Sequence, residues 1–229
     1  MNNFLQLPIF GIGITILFYL LCGKLGKLRL FFLNPVLLTV VGIILFLKIF
    51  NVRFENYNAG GKYLTYFLGP AVVALGAFFY EKYEELRRDL KLFSISVIIG
   101  GSCGIVSVVL FLLLLEMPLF LIKSLASKSV TTPIAIEITK TIGGIPDITA
   151  GIVIAVGVFG NVIGPIFLRK LGITDKRAIG AALGTAAHGI GTARALQEGK
   201  TSGVYSGIAM CLNGIITAFS APYILYLLL

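Results

Sequence analysis

The residue best suited to chemistry in this sequence is His188, the only histidine of the chain. It lies in an apolar, glycine-rich run that extends from Gly184 to Arg194. An ionisable side chain inside such a run is by default a functional-site hypothesis. Imidazole gains or loses a proton near neutral pH, so His188 can carry a coupled proton or bond an anionic substrate. The alternative is a histidine that hydrogen-bonds a backbone carbonyl freed by a break in the helix.

The residues around His188 indicate an anion site. Gly189 and Gly191 allow the backbone to leave helical geometry without a Cβ clash, which would expose N–H groups. A helix starting near Thr192 would then direct its positive end at the break. Arg194 is a candidate counter-ion for a carboxylate, because guanidinium matches that group. Alternatively, Arg194 is a charge that extends to the helix end.

A second interrupted segment carries hydroxyl groups. Thr131 and Thr132 precede Pro133 within the short apolar stretch Ser129–Ile138. Their hydroxyls can donate and accept in a cavity, so both segments together predict a small, anionic, oxygen-rich solute. The alternative is that the threonines cap or back-bond the helix that Pro133 interrupts. Four charged residues flank this stretch and are interpreted mostly as loop charges, with the two acids as candidate ligands of a coupling cation: Lys128, Glu137, Lys140 and Asp147.

Composition places these residues in a membrane protein. The chain has 229 residues, of which 57% are hydrophobic and 13% charged, and its mean hydropathy is +0.98. A soluble domain carries roughly a quarter charged residues, so this chain lacks a polar surface. The expected spans, each near the roughly 20 residues that cross a bilayer, are Phe4–Cys22, Phe31–Phe50, Lys62–Tyr80, Leu92–Leu115, Ile148–Leu168 and Tyr205–Leu229.

The net charge of +9 is distributed as a membrane topology requires. Basic clusters at residues 24–29, 82–91 and 169–177 separate the apolar runs and fall on one side of the predicted membrane. Short cytoplasmic loops accumulate Lys and Arg, so this pattern predicts a multi-pass protein of the bacterial inner membrane. A nucleic-acid surface would not be divided by membrane-length segments, so nucleic acid is excluded as a partner. Residues 51–61 are expected to form a loop.

The predicted fold is all-α: a polytopic transmembrane helical bundle within a single integral membrane domain, residues 1–229. Two segments, Ser129–Ile138 and Ala178–Ala195, are predicted as broken or re-entrant helices that meet near the membrane midplane. Interrupted hydrophobic segments are the best sequence indication of a transporter's substrate site. Residues 31–115 and 118–229 are candidate halves of an inverted repeat, since each has a proline within an apolar segment. Chance matches in a chain rich in Gly and Pro are the alternative.

Other classes of function are poorly supported by the residue pattern. The three cysteines (Cys22, Cys103 and Cys211) are far apart, and with one histidine they give no metal-ligand spacing. No Ser or Cys is evidently paired with the histidine and a carboxylate, so we expect no enzyme and no cofactor. Two Gly-x-x-x-Gly pairs, at residues 160–164 and 203–207, fit close helix packing and are compatible with a homodimer.

The motifs together resemble one family. The runs Lys128–Ala135, Ile142–Pro146 and Ala187–Ala195 are similar to motifs of the LrgB family, and Gly69-Pro70-Ala71 matches its first-half signature. The likeness covers most of the chain from about Asn34 and is strongest from Lys128 onward. Val72 and Phe78 depart from the family, which usually has Thr and Pro at these positions.

The resemblance implies two functions. Some members of the family are transporters of small carboxylates such as glycolate, glycerate and pyruvate. Bacterial members are also called antiholin-like and are paired with a small holin-like partner of the LrgA or CidA type to modulate murein hydrolase activity and autolysis. The residue pattern favours a monocarboxylate transporter that works by alternating access, with His188 as the candidate for proton coupling. The antiholin-like regulator is the alternative.

Overall fold

The computed structural model describes residues 5–25, 35–67 and 89–229, together with the isolated residues 70, 73, 74, 77, 80 and 87. Within this described part, the chain forms nine helices and no strand. In chain order these are α1 (Pro8–Leu25), α2 (Pro35–Ile49), α3 (Phe54–Tyr66), α4 (Leu90–Leu114), α5 (Leu119–Ala126), α6 (Thr132–Ile142), α7 (Pro146–Lys170), α8 (Lys176–Glu198) and α9 (Lys200–Leu228). The prediction of an all-α fold is confirmed.

Three of the described helices are long and apolar enough to cross a membrane: α4, α7 and α9. They coincide with three of the predicted spans and are slightly longer. Helices α1 and α2 are also apolar but shorter. The predicted span Lys62–Tyr80 is described only in part, and its first residues belong to α3, which begins at Phe54 and ends at Tyr66. The signature at residues 69–71 lies largely outside the described residues, as do the departures Val72 and Phe78.

The chain divides into two compact units, Met1–Ala77 and Phe78–Leu229. In the first unit, α1 contacts α3 through two glycines. A Cβ atom on Gly11 would lie 2.1 Å from the Tyr57 carbonyl oxygen, and one on Gly60 would lie 2.1 Å from the Pro8 carbonyl oxygen. The Thr15 and Tyr57 hydroxyls, 3.0 Å apart, add a hydrogen bond. The expected loop at residues 51–61 is wrong, because α3 begins at Phe54 to make this contact.

In the second unit, α4 and α9 run parallel and α7 runs opposite to them. Tyr205, near the start of α9, donates its hydroxyl to Asp89 at the start of α4, at 3.1 Å. Arg169, at the end of α7, pairs with Glu198, the last residue of α8, two residues before α9 begins. We call this the charged end of the unit. The opposite, apolar end is packed by Ile105, Val109, Leu112, Ile122, Ala126, Val130, Ala135, Ile138, Val153, Ala221 and Leu225.

Helices α5 and α6 form a helical hairpin at the apolar end. The Ser127 and Thr139 hydroxyls are 3.0 Å apart, and the Ile145 N–H donates to the Ser124 hydroxyl at 2.7 Å, so the two arms run antiparallel. Gly143 ends α6 in the left-handed conformation with φ of 74°, the usual C-terminal stop. The tip of this α5–α6 hairpin therefore comprises residues 127–131.

Helix α8 folds back on itself and forms a second hairpin at the charged end. Ala187 and His188 have non-helical backbone angles and divide it into two arms. Lys176 Nζ at its start lies 3.8 Å from Glu198 Oε2 at its end. A straight helix of 23 residues would separate these residues by about 33 Å. The α8 hairpin is thus re-entrant, with its tip at residues 187–189.

The two hairpins enter the unit from opposite ends, and each is followed by a long helix. The α5–α6 hairpin precedes α7, and the α8 hairpin precedes α9. The prediction of two broken or re-entrant segments is therefore confirmed. The inverted repeat between residues 31–115 and 118–229 stays a prediction, because part of the first half lies outside the described residues.

Candidate functional site

The two hairpin tips meet at Asn213, a buried residue that is 1% exposed. Its Nδ2 donates to the Ser129 carbonyl at 3.2 Å and to the Thr185 carbonyl at 3.0 Å. Ser129 belongs to the α5–α6 tip, and Thr185 lies two residues before the α8 break. Asn213 is the fourteenth of the 29 residues of α9, so the tips meet near the middle of the bundle. A single amide therefore holds both interrupted segments.

A cavity of about 1000 Å³ lies beside this junction. Its walls come from α4, α7 and the first arm of α8, and Lys128 and Ser129 of the α5–α6 tip complete it. Most of its lining is apolar or glycine: Leu92, Phe93, Val97, Gly100, Gly101, Gly104, Val156, Phe159, Gly160, Ile163, Gly164, Phe167, Ala178, Ala181, Ala182 and Ala186. The polar lining residues are Asp89, Ser96, Lys128, Ser129, Asp175, Arg177, Thr185 and Tyr205.

The cavity has a different charge at each of its ends. Asp89 lines it at the charged end, whereas Lys128 and Ser129 line it near Gly101, the α4 residue that contacts the Asn213 side chain. Twelve residues of helix separate Asp89 from Gly101, which corresponds to about 18 Å. The cavity therefore extends from an ion cluster at the charged end to a single lysine at the α5–α6 tip.

The ion cluster at the charged end is internally paired. Arg177 Nη1 lies 2.7 Å from Asp89 Oδ2, and Arg177 Nη2 lies 3.0 Å from Asp175 Oδ2. Asp175 also caps α8 by accepting from the Arg177 backbone N–H at 2.7 Å. Hydrogen bonds from the Arg177 side chain and backbone lower the pKa of Asp175 below its usual value. The same carboxylates raise the pKa of Arg177, so the cluster stays charged.

His188 lies at the tip of the α8 hairpin and is 4% exposed. Its φ of 42° is unusual for a residue with a side chain, and such strained positions concentrate at functional sites. Its Nε2 lies 3.0 Å from the Val153 carbonyl oxygen of α7. The ring packs on Gly157, where a Cβ atom would approach His188 Cε1 to 2.7 Å. The described geometry thus places His188 against α7, bonded to a carbonyl, and not among the cavity-lining residues.

The glycines after His188 have a different role from the one expected. Neither Gly189 nor Gly191 has a positive φ; Ala187 and His188 make the turn instead. Gly191 permits close packing, because a Cβ atom there would lie 2.4 Å from the Leu183 carbonyl oxygen. The second arm begins directly after His188, so the expected start near Thr192 is wrong.

Thr192 anchors the α8 hairpin. Its hydroxyl donates to the His188 carbonyl at 2.9 Å and lies 3.0 Å from the Ser206 hydroxyl of α9. Asn161 of α7 donates to the Ile190 carbonyl at 2.8 Å on the same arm. The tip region is therefore bonded to both neighbouring long helices.

The predicted residues of the first segment lie at the start of α6. Thr131 is its N-cap, with extended backbone and no side-chain cap bond, and Pro133 occupies the first turn, where proline is favoured. Pro133 therefore begins a helix and does not interrupt one. The hydroxyls of Thr131 and Thr132 have no hydrogen-bond partner among the described residues and are half-buried, but neither residue lines the cavity.

Arg194 is separated from the other predicted residues. It lies on the second arm of α8, where its Nη2 is 2.9 Å from Glu198 Oε1. Glu198, whose side chain is 6% exposed, also pairs with Arg169 and with Lys176. These contacts hold the ends of α7 and α8 together at the charged end. Glu137 and Lys140 form an exposed pair with each other at 2.7 Å on α6.

The Gly-x-x-x-Gly pairs pack inside the second unit. Cβ atoms on Gly160 and Gly164 would approach the side chains of Ala187 and Leu183 to 2.4 and 2.6 Å. Gly203 likewise packs on Leu196. These pairs bring the α8 hairpin close to α7 and α9, and they give no support to a dimer interface.

Sequence reasoning missed the residues that join the hairpins. Asn161 and Asn213 are lone amides inside apolar runs, and polar residues within membrane segments mark functional positions. A lone asparagine is present near the middle of both α7 and α9, so the sequence did contain this indication. Lys128 was interpreted as a loop charge because its position in the α5–α6 tip depends on a chain reversal that has no local marker.

Two opposed re-entrant hairpins among membrane-length helices, with a cavity beside their junction, define a polytopic membrane protein. A model of the LrgB-like family matches residues 15–227, and the chain belongs to this family. It is 36% identical over 220 residues to the uncharacterized protein YwbG of Bacillus subtilis (strain 168), a match that covers 93% of this chain and 98% of the relative. No solved structure matches.

Two further relatives are similar over nearly their whole length. An uncharacterized protein of Haemophilus influenzae is 33% identical over 97% of this chain and 94% of its own. A protein of Bacillus mycoides called antiholin-like protein LrgB is 31% identical over 94% of both chains.

Proposed function

We propose that this protein carries small monocarboxylates of the pyruvate, glycolate and glycerate class across the bacterial inner membrane by alternating access. The observation that supports this most is the meeting of two opposed hairpin tips at Asn213 beside a cavity of about 1000 Å³. Interrupted helices that meet near the bilayer midplane are the typical site architecture of secondary transporters. Non-helical backbone at that depth is tolerated only where protein buries it or where it lines a cavity.

Alternating access requires an element that can change its contacts, and the α8 hairpin is the candidate for it. The α8 tip is held by few hydrogen bonds, from His188 to α7, from Asn161 and Asn213, and from Thr192 to Ser206. Breaking these bonds on one side of the cavity and keeping them on the other would open one end at a time. Because His188 bonds α7 from the tip, its protonation would change the donors available at this contact and couple the movement to a proton.

The antiholin-like role is the second candidate. The name of the Bacillus mycoides relative favours it more directly than it favours carboxylate transport. In that role the protein would act with a small holin-like membrane partner and modulate murein hydrolase activity. The two roles are compatible, because carboxylate flux alters cytoplasmic pH. A homodimer remains a prediction from the sequence.

The proposal is tested by uptake assays in proteoliposomes with an imposed pH gradient. The substrates are radiolabelled pyruvate, glycolate and glycerate. We expect saturable uptake by the wild type and its loss in His188→Ala, with unchanged reconstitution. An absence of uptake by well-folded protein, alone and with the holin-like partner, would refute the carrier and leave the antiholin-like role in front.

A further inference from the structure

Lys128 differs from every other charged residue that lines the cavity. The other three, Asp89, Asp175 and Arg177, are paired with one another at the charged end. Lys128 lies at the opposite end, half-buried in the α5–α6 tip, and its Nζ contacts only the Ser129 hydroxyl, at 3.0 Å. Among the described residues no carboxylate pairs with it. Within the described part of the chain, it is thus a cation without a counter-ion in a largely apolar cavity.

A half-buried lysine without a counter-ion raises the free energy of the protein unless an anion binds to it. A charge removed from water is disfavoured without a partner, and ionisable residues inside membrane proteins generally pair with one another or line a solute path. The Ser129 hydroxyl accepts from Lys128 and keeps its own O–H free to donate. Two ammonium N–H groups and one hydroxyl therefore remain available to an anion.

We propose that Lys128 and Ser129 bind the carboxylate group of the transported solute; this inference rests on the carrier function proposed above. The binding position is at the α5–α6 tip, beside Thr185 of the α8 hairpin, where both interrupted segments line the cavity. Gly100, Gly101 and Gly104 of α4 have no side chains on the facing wall, so a small solute can approach the lysine closely.

The same geometry selects monocarboxylates over dicarboxylates. Lys128 is the one unpaired cation among the described residues that line the cavity, and the paired Arg177 lies about 18 Å away along α4. The second carboxylate of a short dianion would therefore have no cation to pair with in a cavity whose walls are mostly apolar or glycine, which is unfavourable.

Three variants separate anion binding by Lys128 from a general effect of lysine removal. They are Lys128→Gln, Lys128→Arg and the control Lys140→Gln. Lys140 is exposed on α6, pairs with Glu137 and does not line the cavity. We expect Lys128→Gln to raise the KM for glycolate and pyruvate at least about tenfold, the loss of one charge-assisted hydrogen bond. Lys128→Arg should retain most of the affinity, and Lys140→Gln should match the wild type.

Ligand-induced thermal stabilisation of the purified variants provides a binding readout that does not depend on transport. Glycolate and pyruvate should stabilise the wild type and Lys140→Gln, whereas the neutral glycolamide and the dianion malonate should stabilise neither. Lys128→Gln should lose the response. An unchanged KM and an unchanged response in Lys128→Gln would overturn the inference and leave the carrier function standing.

Two further outcomes separate the inference from the proposed function. Lys128-dependent binding without uptake would refute the carrier and preserve the anion site. A wild type that responds equally to glycolate and glycolamide, or to neither, would overturn the anion site itself. Thermal unfolding without ligand shows whether Lys128→Gln is folded. If Lys128→Gln is unfolded, the binding response of Lys128→Arg tests the inference instead.

Discussion

Gly184 lies where the first arm of the α8 hairpin contacts α9 most closely. A Cβ atom at this position would lie 2.0 Å from the Ser206 carbonyl oxygen, and Cβ atoms essentially never approach within 3.0 Å. Gly184→Ala must therefore move the arm away from α9 by about 1 Å, against backbone that cannot rotate aside. Overpacking lowers the free energy of unfolding by up to about 3 kcal/mol. The higher helix propensity of alanine relative to glycine offsets about 1 kcal/mol of this loss.

The expected net loss of about 2 kcal/mol corresponds to a fall of roughly 4–8 °C in Tm for a chain of this size. The assay is thermal unfolding of the purified protein in detergent, monitored by fluorescence-detected gel filtration. Gly151→Ala is the matched control, because nothing lies within 4 Å of its added methyl group on α7. Equal stability of the two variants would refute the close approach of the α8 hairpin to α9.

Three other perturbations test the contacts that hold the hairpins. Asn213→Leu should leave the Ser129 and Thr185 carbonyls unpaired, at a cost of about 1–3 kcal/mol, and hydrogen exchange should accelerate at both tips but not in α3. Glu198→Gln should lower the free energy of unfolding by about 1–3 kcal/mol in low salt and by less in high salt, because its basic partners are partly exposed. Asp175→Ala should cost about 1 kcal/mol by removing the α8 cap. Because the pKa of Asp175 is lowered, its carboxylate caps α8 at neutral pH and loses this stabilising effect as the pH falls below about 4. Below that pH, the Tm of the wild type should approach the Tm of Asp175→Ala.

The long helices could be predicted from the sequence because length and hydropathy suffice for them. Runs such as Leu92–Leu115 and Ile148–Leu168 contain no charge and are long enough to cross a bilayer, and α4 and α7 follow them closely. The two interruptions were also predictable, because Pro133 is favoured only in the first turn of a helix and the glycines around His188 weaken a continuous helix. Local sequence therefore determined where regular structure ends.

The reversal of direction at each interruption could not be predicted in the same way. Helix α8 has 23 residues, enough for a straight span, and only the contact between Lys176 and Glu198 shows that it returns. Glycine serves both turns and close packing, so Gly189 and Gly191 were assigned to the turn although Ala187 and His188 make it. The position of Lys128 in the cavity depends on the same long-range geometry.

The most direct test of the account is the labelling of Thr185→Cys, in a chain whose Cys22, Cys103 and Cys211 are replaced by serine, with a membrane-impermeant thiol reagent in proteoliposomes. Thr185 lines the cavity at the junction of the two hairpins. The account predicts that glycolate or pyruvate slows the labelling and that the labelled protein no longer takes up carboxylate. Labelling at an unchanged rate in saturating carboxylate, with uptake intact afterwards, would contradict it.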